Sequence, residues 1–137
     1  MDKSGKTKSL DVVKKMKTEG STNLWDGIKN GLDMSHDAIC ENRNTFVVVL
    51  SDGEPNVHPP EGNFGALEKY LQHNPLTCSL SMFGYGYSLD TKLLSSMSEL
   101  GAGCYGYIPD CSMVGTVFVN FLSLALSTFS TLLRVEI

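Results

Sequence analysis

The segment Thr45-Phe46-Val47-Val48-Val49-Leu50-Ser51 constrains the fold more than any other: its apolar core is unbroken, uncharged and dominated by β-branched valines. A strand with one wet face alternates apolar and polar side chains. A continuous run instead predicts a strand covered on both faces, which is the situation of a parallel sheet with helices packed on it. The run ends at Asp52-Gly53-Glu54-Pro55-Asn56, whose Gly, Pro and Asn are turn residues, and the loop continues through His58-Pro59-Pro60 to Gly62.

On both sides of this strand the pattern changes to the helical period. Upstream, a Lys-rich segment to about Glu19 reads as a helix with Leu10, Val13 and Met16 turned inward. Gly20-Ser21-Thr22-Asn23 is a turn that caps a second helix, on which Leu24, Trp25, Ile28, Leu32, Ser35 and Ile39 recur until about Asn42-Arg43-Asn44. Downstream come a short helix from Phe64 to His73, an alternating strand from Leu76 to Phe83 stopped by Gly84-Tyr85-Gly86, and a helix capped by Asp90 and closed by Gly101. A short strand, Cys104 to Ile108, precedes a long apolar helix, and 131–137 is a tail, a final strand or the start of a following element. Strand and helix alternating in units of roughly 25 to 30 residues predict right-handed crossovers, hence a doubly wound α/β fold with an open parallel sheet. Ligands of such sheets bind beyond the carboxyl ends of the strands, where the Asp52 and Gly84 loops fall.

A chain of 137 residues has material for one core and little for a second domain. Its net charge of −4 argues against non-specific nucleic-acid binding, which needs a basic face. Six of the eleven basic residues (Lys3, Lys6, Lys8, Lys14, Lys15 and Lys17) precede Gly20, but no aromatic interleaves them, so they read as a solvated helix face. Cys40, Cys78, Cys104 and Cys111 form no C-x-x-C pair and have no His at zinc spacing, so no zinc site is expected. Met1 leads into Asp2-Lys3-Ser4-Gly5-Lys6 without an apolar stretch, so the expectation is a cytoplasmic protein with reduced thiols.

The uncharged stretch from Cys111 to Leu133 is long enough to span a bilayer. Asn120, Ser123, Ser127, Ser130 and Thr131 recur along it at helical spacing, with Val117, Phe121, Leu124, Leu126 and Phe129 filling much of the rest, so it reads as a helix packed by one face on a sheet. His36, His58 and His73 fall on separate elements, and no G-x-S-x-G elbow or signature of a nucleophilic Cys is present, so no enzyme activity is expected. Tyr85, Tyr87, Tyr105 and Tyr107 read as core or rim packing at adjacent strands, the alternative being an aromatic surface there.

Two loops carry a family resemblance. Gly20-Ser21-Thr22-Asn23-Leu24 with its helix, and Val47-Val48-Val49-Leu50-Ser51-Asp52-Gly53-Glu54-Pro55 some 30 residues later, resemble the second and third loops of the von Willebrand factor type A domain. Ser81-Met82-Phe83-Gly84-Tyr85-Gly86, Leu93-Leu94 and Gly101-Ala102-Gly103-Cys104-Tyr105-Gly106-Tyr107-Ile108 resemble that family's last strands and helices. The resemblance covers nearly the whole chain and is greatest to intracellular members found beside ubiquitin-ligase or intein-like modules. It implies a carboxy-terminal part of the Rossmann-like domain over residues 1–130, truncated at the amino end before its first strands.

The resemblance also implies a metal-ion-dependent adhesion site, in which Mg²⁺ is held by side chains of three loops and an acidic group of a protein partner completes the shell. Thr22 matches the threonine of the second loop and Asp52 the aspartate of the third, with Ser21, Gly53 and Glu54 beside them on the binding face. Mg²⁺ takes hard oxygen ligands and keeps waters, which suits a hydroxyl and a carboxylate at neighbouring strand ends. The first loop, Asp-x-Ser-x-Ser, has no match: Asp2-Lys3-Ser4-Gly5-Lys6 imitates its start, but Lys6 stands where the second serine belongs. The implied function is therefore a protein-interaction module with a partial metal site, whose Mg²⁺ affinity is weak or absent unless the missing loop is supplied upstream. The alternative is a metal-independent, degenerate domain. A remote alternative is a P-loop-like nucleotidase fragment, since Ser4-Gly5-Lys6-Thr7 matches the end of G-x-x-x-x-G-K-[ST]; the first glycine of that loop is missing.

Overall fold

A computed structural model describes residues 2–17, 20–37 and 44–127. The valine run forms β1 (Phe46–Ser51), which pairs in parallel with β2 (Ser79–Tyr85), and β2 pairs in parallel with β3 (Tyr105–Ile108), giving the order β1-β2-β3. The helices are α1 (Lys3–Lys15), α2 (Leu24–Asp37), α3 (Gly62–His73), α4 (Thr91–Leu100) and α5 (Val114–Ser127). The chain is thus α/β, with an open three-stranded parallel sheet flanked by helices.

The alternation of side chains along each strand sorts the helices onto two faces. Val47, Val49, Leu80 and Met82 point to one face and meet Leu24, Ile28 and Leu32 of α2, Leu67 of α3 and Leu94 and Met97 of α4. Phe46, Val48 and Phe83 point to the other, with Ile108, and are covered there by Val114, Val117, Phe118, Phe121 and Ala125 of α5. Aromatic contacts organise this second face: Phe83 stacks on Phe118 at 5.1 Å and meets Phe121 edge-on at 5.2 Å, and Phe121 also meets Phe46 edge-on at 6.2 Å.

Several boundaries differ from the sequence reading for identifiable reasons. The second strand begins at Ser79, not Leu76, because pairing starts where Ser79 N donates to Thr45 O. It also runs through Gly84, which reads as a stop; a Cβ at that position would lie 2.7 Å from Leu89 Cδ1, so the glycine serves close packing within the strand. Asp90 caps α4 as expected, its carboxylate accepting from Leu93 N at 2.9 Å. Gly101 does close that helix, yet at φ −86, and it is Ala102 that takes the left-handed conformation at φ 51. Gly101 is required for a different reason: a Cβ there would sit 2.4 Å from Leu80 Cβ.

Two expectations about burial fail. Leu10, Val13 and Met16 are exposed and no residue of α1 is buried, because among the described residues α1 packs against no other helix or strand. Leu124 and Leu126 of α5 are also exposed; the sheet is narrow, and Val114, Val117, Phe118, Phe121 and Ala125 already cover it. No helix among the described residues is long and apolar enough to cross a membrane. Of the cysteines, Cys78, Cys104 and Cys111 are free thiols. Expectations for Glu19, Ile39, Cys40, Phe129, Ser130, Thr131 and the segment 131–137 fall outside the described residues.

Candidate functional site

The carboxyl end of β1 faces the amino end of α2, and the connection between them is built from short polar side chains. Asn23 caps α2: its Oδ1 accepts from Asp26 N at 3.2 Å, and its Nδ2 donates to Asp26 Oδ2 at 2.6 Å. Because Asn23 carries the cap, the exposed Thr22 side chain is not spent on it. Ser51 Oγ donates to Gly53 O at 2.9 Å, which tightens the turn leaving β1 and sets Asp52 at its apex, exposed.

These two segments are tied together. Thr22 N donates to Asn56 Oδ1 at 2.8 Å, and Thr22 O accepts from Asn56 N at 3.2 Å and Val57 N at 3.3 Å, beside an isolated parallel bridge between Asn23 and Val57. Pro55, one residue before the clamp, is buried and anchors the loop. Asn56 is a residue that sequence reasoning missed. It reads there as a turn former, and nothing in its spacing signals that both its amide side chain and its backbone hold the threonine segment 34 residues away.

The outcome is a groove of about 380 Å³ between α2 and the β1 edge, lined by Thr22, Asn23, Gly27, Gly31, Val47 to Leu50, Ser51 and Asp52 among others. Thr22 and Asp52 are therefore brought to one cavity by two separate elements. Ser21 and Glu54 are exposed beside it, and Gly53 is half-buried where its carbonyl receives the Ser51 hydroxyl. A threonine hydroxyl and an aspartate carboxylate are both hard oxygen donors, the class of ligand that Mg²⁺ takes. No cluster of three or more His, Cys, Asp or Glu able to hold a metal exists among the described residues.

Other polar features lie elsewhere. Ser4, Gly5, Lys6 and Thr7 form the first turns of α1, capped by Asp2 Oδ1 on Gly5 N, so they are helical backbone and not an open loop. His58 Nδ1 accepts from Asn63 Nδ2 at 3.1 Å, leaving Asn63 Oδ1 buried without a partner. Tyr70 Oη donates to Asp33 Oδ1 at 2.7 Å, linking α3 to α2, and Lys29 Nζ donates to Asp33 Oδ2 at 2.6 Å. These bonds, that from Lys29 first, hold the Asp33 carboxyl below its usual range, while burial and then the Asp33 bond push the Tyr70 phenol up to about 12. The searches for known relatives are silent on this site: no protein-family model and no curated protein matches the chain.

Proposed function

We propose that the chain is a protein-interaction module of the von Willebrand factor type A kind, a carboxy-terminal part of that domain, with Thr22 and Asp52 on its binding face and Ser21, Gly53 and Glu54 around them. One observation carries the reading: Thr22 and Asp52, on different elements, line one groove at the carboxyl end of the sheet, and the Asn56 clamp fixes their segments to each other. That is where an open parallel sheet offers its loops to a ligand. The partner this chemistry suits is a protein presenting an acidic group, with Mg²⁺ between its carboxylate and the Asp52 carboxylate. Within these residues the metal affinity is weak, because one carboxylate and one hydroxyl displace few of the waters that Mg²⁺ gives up reluctantly. The association with ubiquitin-ligase modules and the cytoplasmic location belong to the same proposal and rest on the resemblance alone.

Mn²⁺ is the probe that tests a weak Mg²⁺ site, since its paramagnetism broadens nearby amide signals even at low occupancy. In the full chain, substoichiometric Mn²⁺ is expected to broaden Ser21, Thr22, Gly53 and Glu54 selectively, with the effect competed by Mg²⁺ and abolished in Asp52→Ala. Broadening spread evenly over the exposed carboxylates, or unchanged by Asp52→Ala, would sink the metal reading. It would favour instead a module that binds through the shape of the groove.

A further inference from the structure

Among the described residues β1 has one neighbour, β2, and its other edge is open. The phase of the sheet is fixed by three bonds: Ser79 N to Thr45 O, Leu80 N to Gly101 O and Met82 N to Cys104 O. With Phe46 opposite Ser79 and Ser51 opposite Gly84, residues 45, 47, 49 and 51 turn their backbone groups to β2, and Phe46, Val48 and Leu50 turn theirs outward. The side chains of those same three residues lie on the α5 face, where Leu50 stands 63% exposed. The sequence FVVVLS holds no charge and no proline, so the edge has none of the usual protection against pairing. β3, at the opposite edge, has only four residues.

We propose that this chain forms a two-fold dimer by antiparallel pairing of its β1 edges, with the axis at Val48. The occupant is a second copy because the edge is complementary to itself. Val48 then exchanges both backbone bonds with the partner's Val48, and Phe46 does so with the partner's Leu50, so every outward group between 46 and 50 is satisfied, about six bonds in all. Asp52 comes beside the partner's Asn44 and not beside the partner's Asp52, so the pairing brings no like charges together.

The strand alone does not suffice. A six-residue edge about 20 Å long buries less area than the roughly 1,200 Å² of a stable specific interface, and the exposed flank of α5 adds to it. Val117 lies over Gly106 of β3, in contact with the position a Cβ would take there (3.3 Å), so the opposite flank of the helix, with Leu122 and Leu126, lies toward β1. Leu122 is 53% and Leu126 86% exposed, and together with Leu50 they continue the edge as an apolar surface. On the other face, the groove beside Gly27, Gly31 and Val49 leaves room for the arriving strand. Thr22 and Asp52 are not used in the pairing, but the arriving strand occupies the β1 side of the groove assigned above to a partner, so the dimer and a groove-bound partner exclude each other.

Sedimentation of the full chain between about 5 and about 200 µM tests this. A reversible monomer–dimer equilibrium is expected, weakened about tenfold or more by Leu50→Lys and by Leu122→Lys, and unchanged by Tyr107→Lys on the β3 edge. All three positions are exposed, and a cooperative melt of each variant confirms that it folds. Hydrogen exchange gives the second readout: the amides of Phe46, Val48 and Leu50 gain protection with concentration, while those of Val47, Val49 and Ser51 do not change. A chain that stays monomeric throughout, association that ignores Leu50→Lys or responds equally to Tyr107→Lys, or concentration-dependent protection without this alternation overturns the proposal.

Discussion

The two faces of the sheet are built to different standards. Three helices press on one face and enclose nine buried residues in a single cluster, from Leu24 and Ile28 through Leu80 and Met82 to Met97. On the other, among the described residues, α5 alone covers the strands; three residues are buried there, and of the helix only Phe121 is out of water. Apolar content does not explain the contrast, since α5 is the most apolar of the helices. What differs is the number of partners: a side chain is buried only when a second element closes over it. The first face therefore holds the stability, and the second leaves apolar surface for contact with something else.

The largest expected effect separates the two faces directly. Ile28 is fully enclosed, so Ile28→Ala is expected to cost about 3 kcal/mol by lost transfer energy and a residual cavity. Leu126→Ala, an identical loss of apolar bulk from the outside of α5, is expected to change stability by less than about 0.5 kcal/mol. Chemical denaturation of both variants in dilute solution decides this. Comparable losses would mean that the α5 face is filled by contacts beyond those described.

Phe121→Ala probes the second face where it is best packed. Phe121 touches Phe46 and Phe83, and its removal opens space that the thinly covered surroundings can close, so about 2 kcal/mol is expected, below the roughly 3–5 of an enclosed phenylalanine. A full enclosed-core cost would erase the distinction between the faces.

A smaller effect lies at the rim of the first face, where Tyr70 joins Asp33 to bind α3 to α2. Tyr70→Phe is expected to cost about 0.5 kcal/mol, because the bond is partly screened by solvent. The pH dependence has two limbs. Asp33 is held below its ordinary carboxylate range, so its contribution is present above the unfolded value near 3.8 and is lost as pH falls through the depressed folded one. Tyr70 is pushed up to about 12 from 10.0, so its contribution is present below pH 10 and is lost as pH rises from there toward 12. In Tyr70→Phe the alkaline limb is expected to lose Tyr70's share and keep that of Tyr105, whose phenol burial also pushes up, while the acid limb shrinks, read from melts across the pH range.

Local chemistry made much of this fold legible. The valine run, the Asp90 cap and the turn after Ser51 declare themselves in residues adjacent in sequence, and the strands and helices they predict are present. Burial was less legible, because it depends on which element arrives from a distance: Leu10 and Leu126 have the periodicity of core residues and are exposed. The same limit applies at the groove. Thr22 and Asp52 stand out by residue type and loop position, whereas the Asn56 clamp that fixes their segments is a tertiary contact with no periodic or motif signal. Gly101 shows a third case, in which a helix-ending glycine is needed for the approach of Leu80 and its neighbour Ala102 takes the left-handed turn.

The smallest expected effect concerns the groove at the end of the well-built face. A ligand stabilises the folded state only in proportion to the logarithm of its concentration over its dissociation constant. With one carboxylate and one hydroxyl at hand, Mg²⁺ keeps most of its water, so a dissociation constant of about 10 mM or weaker is expected. At about 10 mM Mg²⁺ the stabilisation is then no more than about 0.4 kcal/mol. For a chain of this size that is a rise in Tm of about 2 °C at most, and Asp52→Ala should remove even that small gain. A rise several times larger, lost in Asp52→Ala, would show that these residues hold a nearly complete metal site, and the groove between α2 and β1 would then be a stronger binding centre than its two oxygen donors imply.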